Sequence, residues 1–391
     1  MAFINEGITL FKKNIREYGM YIALAVIMAT FYFKTDGLFM SSRNLSNLIN
    51  MTGYIAVLAV GMTLVIVIRH IDLSVGFVAG FTGAVAAILL TQQDLPVWIT
   101  IIIALIVGCI IGLINGFFVA QLGIPAFVVS LAGMLIFRGL LQLSLVETGT
   151  IIVPNQGFKD IGNGYIPSLF MVDTFQGLTL VIGVLAIILF IWSEIKNRIN
   201  NQKYGFEVLS FPMMIVKIAF ISFIIGYVFY TLAGYHGLSW TAVIVIAVVA
   251  IYNFITTKTP LGRHIYAVGG NPEAAQLSGI GVKKITYIVF GSMGTLAALS
   301  GILYTARLNS ATPTAGVMFE LDAIAAAYVG GTSAAGGVGK VTGSIIGAFV
   351  MASLTSGMNL MGVDVSWQYI IRGAVLVIAV VFDVMTRNKA N

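Results

Sequence analysis

The chain reads as an all-α, polytopic transmembrane helical bundle of about ten to twelve spans, and three observations carry that reading. Of its 391 residues, 59% are hydrophobic and only 9% are charged, with a mean hydropathy of +0.99. Apolar runs of about twenty residues follow one another with short polar joints, which is the length a hydrocarbon core requires. Lysine and arginine gather in alternate joints, as orientation in a bilayer demands. No sizeable soluble domain fits beside these runs, so residues 1–391 form a single transmembrane domain. The net charge of +6 does not point to nucleic acid, because the basic residues flank apolar runs and form no patch with interleaved aromatics. One cysteine, Cys109, lies inside an apolar run, which excludes a disulfide framework.

Span one covers about 20–33. Lys12, Lys13 and Arg16 precede it, which places the N-terminus in the cytoplasm; without a small-residue cleavage pattern the span reads as a retained anchor. Residues 35–47 are then outside, span two covers about 48–68, and span three 77–91. Asp94 and Pro96 mark an external turn, and span four covers 97–120. Pro125 breaks the chain on the inside before span five at 126–146, since proline disfavours helix at the residue before it. The external stretch 147–173 is too long for a hairpin connection and reads as either flexible or a binding surface. Span six (174–192) leads into an internal joint over 194–207; spans seven (211–232) and eight (240–256) follow, and span nine lies at 285–306.

Residues 320–357 are too glycine-broken for one span and short for two. Eleven residues from Gly330 to Lys340 include five glycines, each costing about 1 kcal/mol in a helix interior relative to alanine. Two half-helices meeting at a glycine-rich break fit this stretch, with the break facing protein or a water-filled cavity. Gly343 and Gly347, four apart, suit close helix packing. A last span, 366–384, puts the C-terminus inside. Thirteen lysines and arginines then fall inside against four outside (Lys34, Arg43, Lys159, Arg307), while Arg138, Lys217, Lys340 and Arg372 fall in or beside spans. That bias supports the drawing.

The longest polar run, 258–284, contains a complete short helix. Asn271 can cap it, Pro272 suits its first position, Glu273 favours the positive end of its dipole, and Gly279 can close it in the left-handed conformation. Its basic flanks, Lys258, Arg263, Lys283 and Lys284, place it in the cytoplasm. Residues 330–340 fail as a phosphate loop, because Ala334 stands where glycine is required and Val341 where a hydroxyl is required. Asp72, within I-D-L-S-V-G at 71–76, reads either as a plain helix cap or as a gate paired with Arg69 or Arg138; Ser74 and Gly76 can cap or tighten the next helix. Arg138 and Arg372 should lie within the hydrocarbon and find partners among Asp72, Glu320, Asp322 and Asp364. His70, His236 and His264 lack metal spacing, and no catalytic constellation assembles, so the chain is not expected to be an enzyme or to hold a cofactor.

The run G-R-x-I-Y-A-V-G-G-N-x-E-A-A-x-L-S-G-I at 262–280 resembles the coupling segment of monosaccharide ATP-binding-cassette importer permeases. The stretches at 71–76, 130–140, 306–313, 319–326 and 330–339 resemble the same family, so the similarity runs over nearly the whole chain. In length it is similar to the xylose and multiple-monosaccharide permeases; shorter relatives such as the ribose permease would lack something like 174–232. The resemblance implies that the short helix enters a cleft of a separate cytoplasmic ATPase, with Arg263, Gly269, Gly270, Asn271, Glu273, Ala274, Leu277 and Gly279 in the coupling element. Together with the charges expected within the hydrocarbon, it leaves Asp72, Ser74, Arg138, Asn309, Glu320, Asp322 and Arg372 as pathway or gating candidates. It further implies two permease copies, an external sugar-binding protein, and a multi-pass location in a bacterial plasma membrane with both termini cytoplasmic. An ion-coupled secondary sugar transporter is the alternative, since broken helices and buried charges would suit it equally.

Overall fold

The computed structural model describes residues 15–205, 208 and 210–388. Lys12, Lys13 and Lys389, which weigh in the orientation argument, and Glu207 lie outside the described residues. Helices dominate. α1 (Ile15–Lys34) and α2 (Ser42–Val67) are joined by one 3-10 turn at Leu38–Met40, where the Thr35 hydroxyl accepts from the Phe39 N–H at 3.0 Å. α3 (Val75–Thr91), α4 (Val97–Ala120) and α5 (Ala126–Ser144) follow. Pro96 and Pro125 stand at the caps of α4 and α5, where the missing N–H would be unsatisfied in any case. Among the described residues nine helices are long and apolar enough to cross a membrane, and Gly19–Lys34 within α1 and all of α3 are shorter apolar stretches.

The stretch 147–173 is not a bare loop. It holds a two-residue strand, β1 (Ile151–Ile152), and a helix, α6 (Gln156–Asn163), capped by Asn155, whose side chain accepts from the Phe158 N–H at 3.2 Å. Phe158 is fully buried, and the Asn163 amide donates to the carbonyls of Ala306 and Arg307 at 2.9 and 3.1 Å. This segment is therefore clamped onto the end of the bundle. A small hairpin, β2 (Met171–Val172) with β3 (Phe175–Gln176), leads into α7 (Gly177–Lys203). α7 continues through most of the expected 194–207 joint, because no breaker intervenes before Gly205. Glu194 on α7 pairs with Lys217 on α8 (Phe211–Ala233) at 2.5 Å, and α9 (Trp240–Lys258) follows.

The long α12 (Val282–Leu308) packs along α2, α3 and α4 and forms the axis of the core. Gly108, Gly112 and Gly116, spaced four apart on α4, let the two backbones touch: a methyl group at Gly112 would overlap the Phe290 carbonyl, and one at Gly294 the Gly108 carbonyl. Gly112→Val should therefore push the helices apart and cost about 1–3 kcal/mol, read as a lower thermal midpoint in detergent. Gly139→Val is the control, since a Cβ there meets nothing within 4 Å. Equal midpoints for the two variants would contradict the packing.

After α12, β4 (Ser310–Ala311) pairs with β1, with Ile151 opposite Ala311. Residues 312–318 then return into the bundle without helix and lead to α13 (Phe319–Val329). Gly316, at φ 87°, lies here against the Gly76 backbone. The expected non-helical break at 330–340 is present, followed by α14 (Val341–Leu360) and α15 (Val365–Asn388). Two details differ from the sequence reading. α14 has twenty residues, about 30 Å, and crosses alone rather than as half of a pair. The break does not sit at mid-depth but packs on the end that carries 258–284, where Gly337 N–H donates to the Val67 carbonyl at 2.8 Å; the irregular backbone inside the bundle is 312–318. Close packing at Gly343 and Gly347 is present, against the backbone of Gly330 and Ala326.

Candidate functional site

Where one short helix was expected in 258–284 there are two. α10 (Pro260–Gly270) is capped by Thr259, which accepts from the Gly262 N–H at 3.3 Å; α11 (Pro272–Leu277) is capped by Asn271, which accepts from the Ala274 N–H at 3.0 Å. Pro260 and Pro272 each open a helix, and Gly279, at φ 80°, closes the second. α11 is seated by Ala275, which is buried, while Glu273, Ala274 and Leu277 point away from the bundle, Leu277 with 91% of its surface exposed. Arg263 is exposed on α10. Gly269 faces inward instead: a methyl group there would overlap the Val67 carbonyl, and Gly270 lies against Gly337. Gly269 thus serves contact with the rest of the chain, whereas Gly270 is exposed and a Cβ there would meet nothing within 4 Å.

Arg69 fastens this corner. Held at φ 66° beyond the end of α2, it donates from Nε to the Gly269 carbonyl at 2.7 Å and from Nη2 to the Gly270 carbonyl. A guanidinium is thus placed on the last carbonyls of α10, the negative end of that helix. Tyr266 OH donates to the Gly339 carbonyl at 2.6 Å. The end of α2, the end of α10 and the 330–340 turn are consequently one hydrogen-bonded unit, and α11 projects from it. A cleft of about 460 Å³ beside the unit is lined by Arg69, His70, Pro125 and Lys283 among others; burial pulls the His70 imidazole below its usual range.

Asp72 bonds Ser74 at the start of α3 rather than Arg69 or Arg138. Asp72, 2% exposed, accepts at one oxygen from the Ser74 N–H (2.9 Å) and hydroxyl (2.6 Å), and Asn115 on α4 donates to that hydroxyl at 3.1 Å. Burial pushes the Asp72 carboxyl up, opposed by the Ser74 bonds. This turn lays the start of α3 on α4 and α5, and Ser74 at the cap position spends its side chain on Asp72 rather than on the helix. Arg138 lies 5.7 Å over the Phe77 ring, a cation–π contact in place of the expected carboxylate.

Arg372 does pair, donating from Nη2 to Asp322 across α15 and α13. Glu320, two residues away on the other side of α13, is 7% exposed and wedged against Gly76, and among the described residues its Oε2 has no hydrogen-bond partner. Asp364 instead accepts from the Ser366 N–H at 2.8 Å at the start of α15. Beside the Arg372–Asp322 pair lies a cavity of about 200 Å³, lined by Thr52 and Tyr54 of α2, Phe319, Thr355 of α14 and Tyr369. Tyr54, Tyr304 and Phe319 form a three-ring cluster with centroids 4.9 to 5.1 Å apart. Asn309 stands apart from all of this, at φ 54° beyond α12, where its side chain accepts from Asn163 at 3.3 Å and its carbonyl from the Val153 N–H. Among the described residues no group of three or more His, Cys, Asp or Glu could hold a metal ion.

A helical bundle with a polar-lined cavity among its spans and a capped helix projecting from one end defines a membrane permease rather than an enzyme. The chain belongs to the family described as branched-chain amino acid transport system / permease component, whose model matches residues 44–189 and 161–380. It is 42% identical to the xylose transport system permease protein of Haemophilus influenzae over 379 residues, which is 96% of this chain and 98% of that protein. The corresponding Escherichia coli protein is 38% identical over 96% of this chain and 94% of its own length. The ribose import permease protein of Haemophilus influenzae is 35% identical over 94% of this chain and 93% of its own. The likeness to sugar permeases drawn from 262–280 agrees with these relatives. No solved structure matches.

Proposed function

We propose that this chain is the membrane permease of an ATP-binding-cassette importer that takes a monosaccharide, an aldopentose such as xylose before a hexose, from an external binding protein into the cytoplasm. The observation that carries the reading is α11: a doubly stopped helix held off the bundle with Leu277 bare serves no purpose in an isolated permease and suits a cleft in a separate ATPase subunit. Likeness to xylose permeases over 96% of the chain favours the pentose. In this reading two copies of the chain stand side by side, the 258–284 end and both termini face the cytoplasm, and the clamped 147–173 segment faces the binding protein. The thirteen-to-four bias of basic residues supports that orientation.

Motion passes from the ATPase to α11, then through the Arg69 unit to α2 and the 330–340 turn, and so to α13 with Asp322. The chain's own residues contribute rigid packing and a polar path, and the partner hydrolyses ATP. Reconstitution in liposomes tests this against the ion-coupled alternative. Uptake of labelled xylose should require the ATPase, ATP and the binding protein together; uptake on an ion gradient by the permease alone would overturn the proposal.

A further inference from the structure

We infer that the cavity between α2, α13, α14 and α15 is a transient binding subsite for a single sugar ring on the pathway, an inference that rests on the sugar-permease reading. Its size excludes anything much larger. At about 200 Å³ it falls below the roughly 300–1,000 Å³ of drug-sized pockets. Its lining has the two faces that a sugar requires: ring surfaces at Tyr54 and Phe319 for the C–H face, and Thr52, Thr355, Tyr369 and the Asp322–Arg372 pair for hydroxyls. The carboxylate accepts from a sugar O–H and the guanidinium donates to a sugar oxygen, so the paired charges can be addressed without being separated.

Two further observations separate this cavity from an ordinary packing gap. Arg372 lies seven residues inside α15, about 10 Å from its start, so the pair stands at membrane depth while 18% of each side chain remains exposed. Partly open charge at that depth is tolerated where it meets water or protein, not lipid, so the open side faces an aqueous path. One turn before Tyr54 on the same face of α2, Asn50 is buried, and among the described residues neither polar atom of its amide has a hydrogen-bond partner. Polar capacity along this face exceeds what the protein itself uses. A small, weakly holding subsite suits a permease fed from outside, because tight binding here would slow release.

Cysteine protection tests the inference. The chain has one cysteine, so Cys109→Ala gives a clean background. Thr355→Cys and, as a second lining position, Ala352→Cys are placed in it, assembled with the ATPase in vesicles, and reacted with a membrane-impermeant thiosulfonate reagent. With D-xylose at about 100 mM, labelling at either lining position should slow at least threefold, with no effect from glycine betaine at equal osmolarity and none at the exposed Ser168→Cys. The site assignment is overturned if the sugar leaves both rates unchanged, or if the reagent reaches neither position in correctly inserted protein. Uptake by the Cys109→Ala transporter is measured alongside. Failure there would count against the sugar-importer reading itself, whereas normal uptake without protection would count against this cavity alone.

Discussion

Arg372→Ala should lower the stability of the folded permease by about 3 kcal/mol, read as a large drop in thermal midpoint in detergent. The pair with Asp322 is mostly sheltered, so removing the guanidinium strands a carboxylate among Phe319, Met351 and Tyr54 with no compensating charge. The cost is chiefly that of the stranded partner, not the worth of the pair. Removing both, in Asp322→Ala with Arg372→Ala, should therefore recover most of the loss, because desolvation of both ions is relieved together. A double variant as unstable as Arg372→Ala would show that packing of the arginine stem, and not the charge, holds α13 to α15.

Leu277→Asp should abolish coupling while leaving the bundle intact. Burying a leucine side chain is worth about 1.5–3 kcal/mol, and on a helix of six residues with Glu273, Ala274 and Gln276 as its other exposed groups it is the main apolar contribution to docking. A carboxylate in its place adds the cost of burying an unpaired charge. Expected are loss of both sugar uptake and stimulation of the ATPase by the sugar-loaded binding protein, with normal insertion and an unchanged thermal midpoint, since Leu277 touches little of its own chain. Uptake and stimulation at the unmodified level would mean that α11 does not carry the signal.

Much of the fold is written locally and could be read. Span ends at 97–120 fall where prolines and apolar runs put them, and the cap at Asn271 is a matter of residue types within one turn. The Arg372 pairing follows from the cost of isolated charge in hydrocarbon, although cost alone does not select Asp322 over Glu320 or Asp364; packing of α13 on α15 does. Contacts between distant positions were illegible. Arg69 and Gly269 are 200 residues apart, and nothing near Arg69 announces that its partner is the end of α10 rather than the adjacent Asp72. α6 was hidden inside a long polar stretch, although Asn155 three residues before Phe158 is a capping signal that could have placed it. The two readings of Asp72 could not be separated by sequence, because a buried aspartate can be satisfied by a serine two residues on as well as by a cation.

The central claim is that α11 sits in the ATPase, and the accessibility of residue 277 tests it most directly. In the Cys109→Ala background, Leu277→Cys in vesicles with the cytoplasmic face outward is labelled by a water-soluble maleimide, with and without the ATPase subunit. The expected result is rapid labelling of the permease alone, as 91% exposure requires, and at least tenfold slower labelling once the ATPase is bound. Equal rates, with the ATPase shown to be bound, would contradict the account.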